Sequence, residues 1–141
     1  MSKVDPRVTA MLEVAELKYR TDDDGDVIVM VSGWEEGRSQ VVYIRSETFT
    51  FDGQEFRDVF SPARTGDVPP AKVLAYCLNQ NEEVAMGSWR LQVSAQTERT
   101  ALLFGAHIDA NSSPQRLSKV LFNIGKVADD LELKLSEQDK F

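Results

Sequence analysis

Two stretches decide the fold: Val27-Ile28-Val29-Met30-Val31 and Gln40-Val41-Val42-Tyr43-Ile44-Arg45, separated by Gly33-Trp34-Glu35-Glu36-Gly37. The first is a short β-branched run, and it reads as a strand buried on both faces or nearly so. The second returns after a connection short enough for antiparallel pairing, with glycines to make the turn. A hairpin therefore sits near the centre of the first half, and the other elements are placed outward from it.

Upstream, Asp5-Pro6 opens a helix: Asp caps free amide groups, and proline tolerates the first helical position. Val8, Met11, Leu12 and Ala15 recur at helical spacing and form its apolar face. The acidic turn Asp22-Asp23-Asp24-Gly25-Asp26 is expected to end it. Downstream, Phe49-Thr50-Phe51 and Phe56-Arg57-Asp58-Val59-Phe60 suggest a third strand, with Asp52-Gly53 suited to a tight two-residue turn. Ser61-Pro62-Ala63-Arg64-Thr65-Gly66 is expected to break the pattern.

Asp67 is expected to cap a second helix whose first turn accepts Pro69 and Pro70. Val73, Leu74, Cys77 and Leu78 form its apolar face, and Asn79-Gln80-Asn81 is predicted to stop it. From Gly87 the chain alternates: Trp89, Leu91, Val93 and Ala95 point one way, and Ser88, Arg90, Gln92 and Ser94 the other. Ala101 to Ile108 is a second apolar strand. Ser113-Pro114 starts a closing helix with an inner stripe of Leu117, Val120, Leu121, Ile124, Ala128, Leu131 and Leu135. Gly125 inside that helix costs about 1 kcal/mol relative to Ala, which marks a close crossing against the sheet or another chain. The expected architecture is α+β, a single domain over residues 1–141, in the order α-β-β-β-α-β-β-α. It has a mainly antiparallel five-stranded sheet flanked by helices.

At 141 residues with 42% hydrophobic and 28% charged side chains, the composition is ordinary for one globular core. The lone Cys77 forms no intrachain disulfide, and Met1 to Arg20 lacks the apolar core of a signal peptide. A cytoplasmic protein is expected. The longest apolar run, Ala101 to Ala106, is far below the roughly 20 residues that span a bilayer. Net charge is −7, and residues 1–70 hold 14 acids against 8 bases. Lys and Arg are scattered singly among acids, which argues against a nucleic-acid partner.

The chemistry-bearing residues are few. Read as a calcium loop, the acidic turn would put Arg20 and Val31 where carboxylates are required. His107 is the only histidine, in an apolar strand where a structural role is commonest. Cys77 sits on an apolar helix face as a small core residue does. No zinc or facial-triad spacing and no phosphate-binding glycine loop appears, so neither metal nor cofactor is expected. Glu35, Glu36, Glu82 and Glu83 fall in predicted turns, where solvated charge is the usual role. What survives is a surface: Trp34, Phe60, Trp89 and Phe104 are candidates for a protein-binding or dimer face. Core packing is the commoner role for Trp89 and Phe104. Trp34 lies in a polar turn and is assigned to a partner contact.

The chain resembles the YbjN-like family, bacterial proteins with the fold of class I type III secretion chaperones. The residues that carry the likeness are Gly25 to Val31, Gly37-Arg38-Ser39-Gln40-Val41-Val42-Tyr43-Ile44, Val59-Phe60-Ser61-Pro62, and the helix from Leu117 to Leu131. The resemblance implies a small cytoplasmic, non-enzymatic protein, usually a homodimer, that binds another protein. It supplies no catalytic residues. By the same analogy the second helix and the strand from Gly87 to Ala95 are the dimer elements; together with Trp34 of the polar turn, Val73, Leu74, Cys77, Trp89 and Leu91 are the candidate dimer or partner surface. The chaperone-like or regulatory protein-binding module is thus the expected function, with its partner unidentified. The alternative is a small ligand-binding protein or enzyme using His107 with nearby carboxylates.

Overall fold

In a computed structural model, which describes residues 3–137, the elements run α1 (Pro6–Val14), β1 (Tyr19–Thr21), β2 (Val27–Ser32), β3 (Ser39–Phe51), β4 (Gln54–Gly66), α2 (Ala71–Glu83), β5 (Ser88–Val93), β6 (Thr100–Asp109) and α3 (Pro114–Ser136). The residues at both ends of the 1–141 domain expectation lie outside the described residues. The strands form one antiparallel sheet in the order β1-β2-β3-β4-β6-β5. The α+β class stands, but the sheet has six strands rather than five.

The additional strand is β1. The first helix stops at Val14, well before the acidic turn, because Glu16 takes a left-handed conformation (φ 60°) and the Leu17 N–H bonds back to the Leu12 carbonyl. Only Tyr19 to Thr21 then pair with β2, too few residues for an alternation to show.

The central hairpin forms as its residues dictate, with Val29 opposite Val42 and Val27 opposite Ile44. Asp52 and Gly53 both have positive φ, which matches the twist of a two-residue hairpin loop joining β3 to β4. Both strands are longer than expected, because bulges absorb the positions that look like breaks. Arg45, Ser46 and Glu47 stand against Asp58 alone, and Ala63 is left unopposed between Pro62 and Arg64. A bulge is where a strand tolerates proline, so Ser61 to Gly66 continues β4 instead of ending it.

Pro70, not Asp67, occupies the cap position of α2, and no side chain caps that end. The helix runs through Asn79-Gln80-Asn81 to Glu83. β5 ends at Val93 rather than Ala95. In α3 the Ser113 hydroxyl accepts the Arg116 N–H at 3.1 Å, as the cap-then-proline pattern requires.

The helices share one core on one face of the sheet. Val8 and Leu12 of α1, Val73 and Cys77 of α2, and Leu117, Leu121 and Ile124 of α3 meet Val29, Val42, Val59 and Phe104. Gly125 is the closest crossing: a Cβ there would run into the Val31 side chain and touch Val42. The opposite face carries Tyr43 stacked on Phe60, with ring centroids 5.2 Å apart.

Candidate interaction surface

Of the six residues expected at a partner surface, three turn inward. Val73 and Cys77 are each 2% exposed and Trp89 is 6% exposed, so they fasten α2 to β5 within the chain. The Trp89 indole donates to the Gln80 side-chain oxygen at 2.6 Å and sets its ring against Phe104. Burial pushes the Cys77 thiol up to about 11, which leaves it protonated and unreactive near neutral pH.

Trp34 is half-buried on α3, and its own domain accounts for it. Its indole donates to Asp129 at 3.0 Å, and its ring stands edge-on to Phe122. Arg38 grips the same carboxylate with two hydrogen bonds of 2.7 Å. These bonds, Arg38 first, hold the Asp129 carboxyl below its ordinary value although the residue is buried. The β2–β3 turn is thereby pinned to α3.

Leu74 is half-buried against the core and Leu91 is exposed. Leu78 and Val93, which the sequence places on the apolar faces of α2 and β5, are instead more than half exposed, as is Val68 before α2. Ala71, Ala75 and Leu78 recur at helical spacing along the outer side of α2. Lys72 lies at the start of this helix, and Glu82 and Glu83 lie at its end.

β5 is an edge strand, and its edge is closed at one point. The Trp89 N–H donates to the Asn81 side-chain oxygen at 2.6 Å, and the Asn81 amide donates to the Trp89 carbonyl at 3.3 Å. In an antiparallel strand the backbone groups of alternate residues point the same way, so those of Leu91 and Val93 face out of the sheet. No hydrogen bond to them occurs among the described residues. Asn81 therefore has a definite task, although a run of Asn and Gln reads in the sequence as a helix stop.

The histidine expected in the alternative reading lies on the helix-free face. His107 is largely exposed, with Nε2 3.9 Å from Asp58 and its ring edge-on to Phe49. Asp58 is already engaged by Arg90 through bonds of 2.6 and 2.9 Å, and the nearby Thr48 hydroxyl donates to Glu55. Among the described residues no three of His, Cys, Asp and Glu come together as metal ligands, and no helix is long and apolar enough to cross a membrane.

No protein-family model matches the chain, and no curated protein shows a significant match to it.

Proposed function

We propose that the protein is a cytoplasmic, non-enzymatic protein-binding module, chaperone-like or regulatory, that works as a homodimer through α2 and the free edge of β5. The observation that carries this reading is the exposure of Leu78 on α2 and of Leu91 and Val93 on β5, an edge strand with unpaired backbone groups. Exposed apolar surface next to an open edge is a liability in an isolated chain and an asset at an interface. A two-fold axis suits it. Two antiparallel copies of α2 bring Ala75 and Leu78 of each copy together and set Lys72 of one against Glu82 and Glu83 of the other. The resemblance to the YbjN-like family supports the same elements.

Light scattering on the full chain tests the dimer. The expected mass is twice that of the chain, falling to one chain in Leu78→Asp with Leu91→Lys, while circular dichroism stays unchanged. A strict monomer at high concentration overturns the reading.

A further inference from the structure

The connection from α2 to β5 and the first half of α3 enclose a groove of about 500 Å³, lined by Val84, Ala85, Met86, Arg116, Lys119, Val120, Asn123 and Val127. Its construction follows from the helical repeat. Arg116, Lys119, Val120, Asn123 and Val127 are three, four, seven and eleven positions along one side of α3, and so form a single stripe. Val120 is buried at the floor, Val127 and Met86 are half-buried, and Arg116, Lys119 and Asn123 stand exposed at the rim. The opposite wall is fixed where Gly87 turns the chain into β5 with a positive φ. A Cβ there would strike the Phe104 ring.

The electrostatics select the occupant. On a chain of net charge −7, two cations stand side by side at the mouth of an apolar groove. Neither Arg116 nor Lys119 is paired with a carboxylate among the described residues, whereas Lys126, two turns beyond Lys119, is paired with Asp130 at 3.0 Å. Arg116 also lies in the first turn of α3, where the helix dipole favours negative charge. An apolar floor takes a leucine-sized side chain, and the rim takes a carboxylate beside it.

We infer that this groove is the partner-binding site, and that it recognises a short protein segment in which acidic residues flank a large apolar side chain. The inference rests on the protein-binding reading above, but the groove is complete within one chain and needs no dimer. A single-stranded nucleic acid fits less well. The groove offers it no aromatic ring, and base stacking is what such ligands use.

The test is fluorescence anisotropy with the full chain and labelled synthetic peptides of about a dozen residues, one alternating leucine with glutamate, one with lysine replacing glutamate, and one with serine replacing leucine. The leucine–glutamate peptide is expected to bind, and Arg116→Glu with Lys119→Glu is expected to weaken it roughly tenfold or more, as loss and reversal of facing charge does. Both substituted residues are exposed, so circular dichroism should not change. Amide shifts in a nuclear magnetic resonance titration are expected at residues 84–86 and 116–127. The inference is overturned if the leucine–glutamate peptide fails to bind, if either control peptide binds as well, if the double variant binds unchanged, or if the shifts fall elsewhere. Tighter binding of oligothymidylate or of anionic vesicles than of the peptide overturns it too. Light scattering on the same samples keeps the two readings apart: a dimer that ignores the peptide sinks only the groove, and a monomer that binds it sinks only the dimer.

Discussion

Asp129 is ionised, buried on α3 and shared by Trp34 and Arg38, so one carboxylate ties a turn near the start of the sheet to the last helix. Hydrogen bonds to a charged group contribute more than neutral ones, and losing the charge leaves the Arg38 fork half-satisfied. Asp129→Asn should therefore cost about 2 kcal/mol, read as a lower denaturation midpoint with the slope unchanged. Acid should act through the same kind of group. Burial opposes ionisation of Asp5, yet bonds from Arg7 and Arg57 outweigh it and hold the carboxyl well below its ordinary range. Arg7 and Thr48 hold Glu55 down to about 2. A carboxyl depressed in the folded state contributes stability above its unfolded value and loses it as pH falls through the folded one. Asp26 and Glu132 are raised by burial, so they act in the opposite sense. Stability is expected to fall as pH drops from about 4.5 toward 2, and Asp129→Asn should flatten part of that fall in chemical denaturation at each pH. Of these ties only the Asp5 cap of α1, which accepts the Arg7 N–H, was legible in the sequence. Arg57, fully buried and donating to the Arg45 and Ser46 carbonyls, looks like any strand arginine until the β3 bulge turns those carbonyls toward it.

At the scale of elements, Gly125 offers a sharp test, because helix propensity and packing disagree about it. Alanine gains about 1 kcal/mol of propensity over glycine, but its methyl group would enter the space held by Val31. Overpacking of this kind costs roughly 1 to 3 kcal/mol, and Val31 lies on a strand hydrogen-bonded to a neighbour on each side. Gly125→Ala should therefore lower the thermal midpoint, and Val31→Ala in the same chain should recover part of the loss. The sequence marked Gly125 as a close crossing without saying whether the sheet or another chain is crossed, and it located the starts of α1 and α3, because capping residues and a 3.6-residue stripe are local signals. It did not predict the continuation of β3 and β4 through their bulges. A bulge breaks the two-residue period on which strand reading depends, and it is defined only by the partner strand. α2 was misread at both ends for a related reason: Asn79-Gln80-Asn81 resembles a stop, and only the placement of β5 gives Gln80 and Asn81 their partners. The candidate surface was half legible. The alternation around Trp89 located β5 and the apolar face located α2, but which of their side chains turn inward depended on the helix lying over the edge of the sheet.

For the whole molecule, net charge opposes self-association. Two copies of charge −7 about 30 Å apart repel by about 7 kcal/mol in unscreened water. An exposed lysine–glutamate pair returns at most about 1 kcal/mol. The long-range term dominates at low salt, and a Debye length near 8 Å at physiological ionic strength removes most of it. Dimerisation should thus strengthen as salt rises from about 0.01 to 0.15 M, measured by sedimentation equilibrium. Weakening over that range would mean that ion pairs govern the contact. Acidity is legible from composition alone, and its consequence for assembly depends on the interface being apolar.

The bond pair between Asn81 and Trp89 has a further consequence. A sheet with two free edges can polymerise, each molecule templating the next into a ribbon without end. Here one edge is the three-residue β1, and the other is plugged by a side-chain amide that imitates a neighbouring strand for a single residue. Asn81 thus acts as a chain terminator for the sheet, confining any strand exchange to the short stretch beyond it.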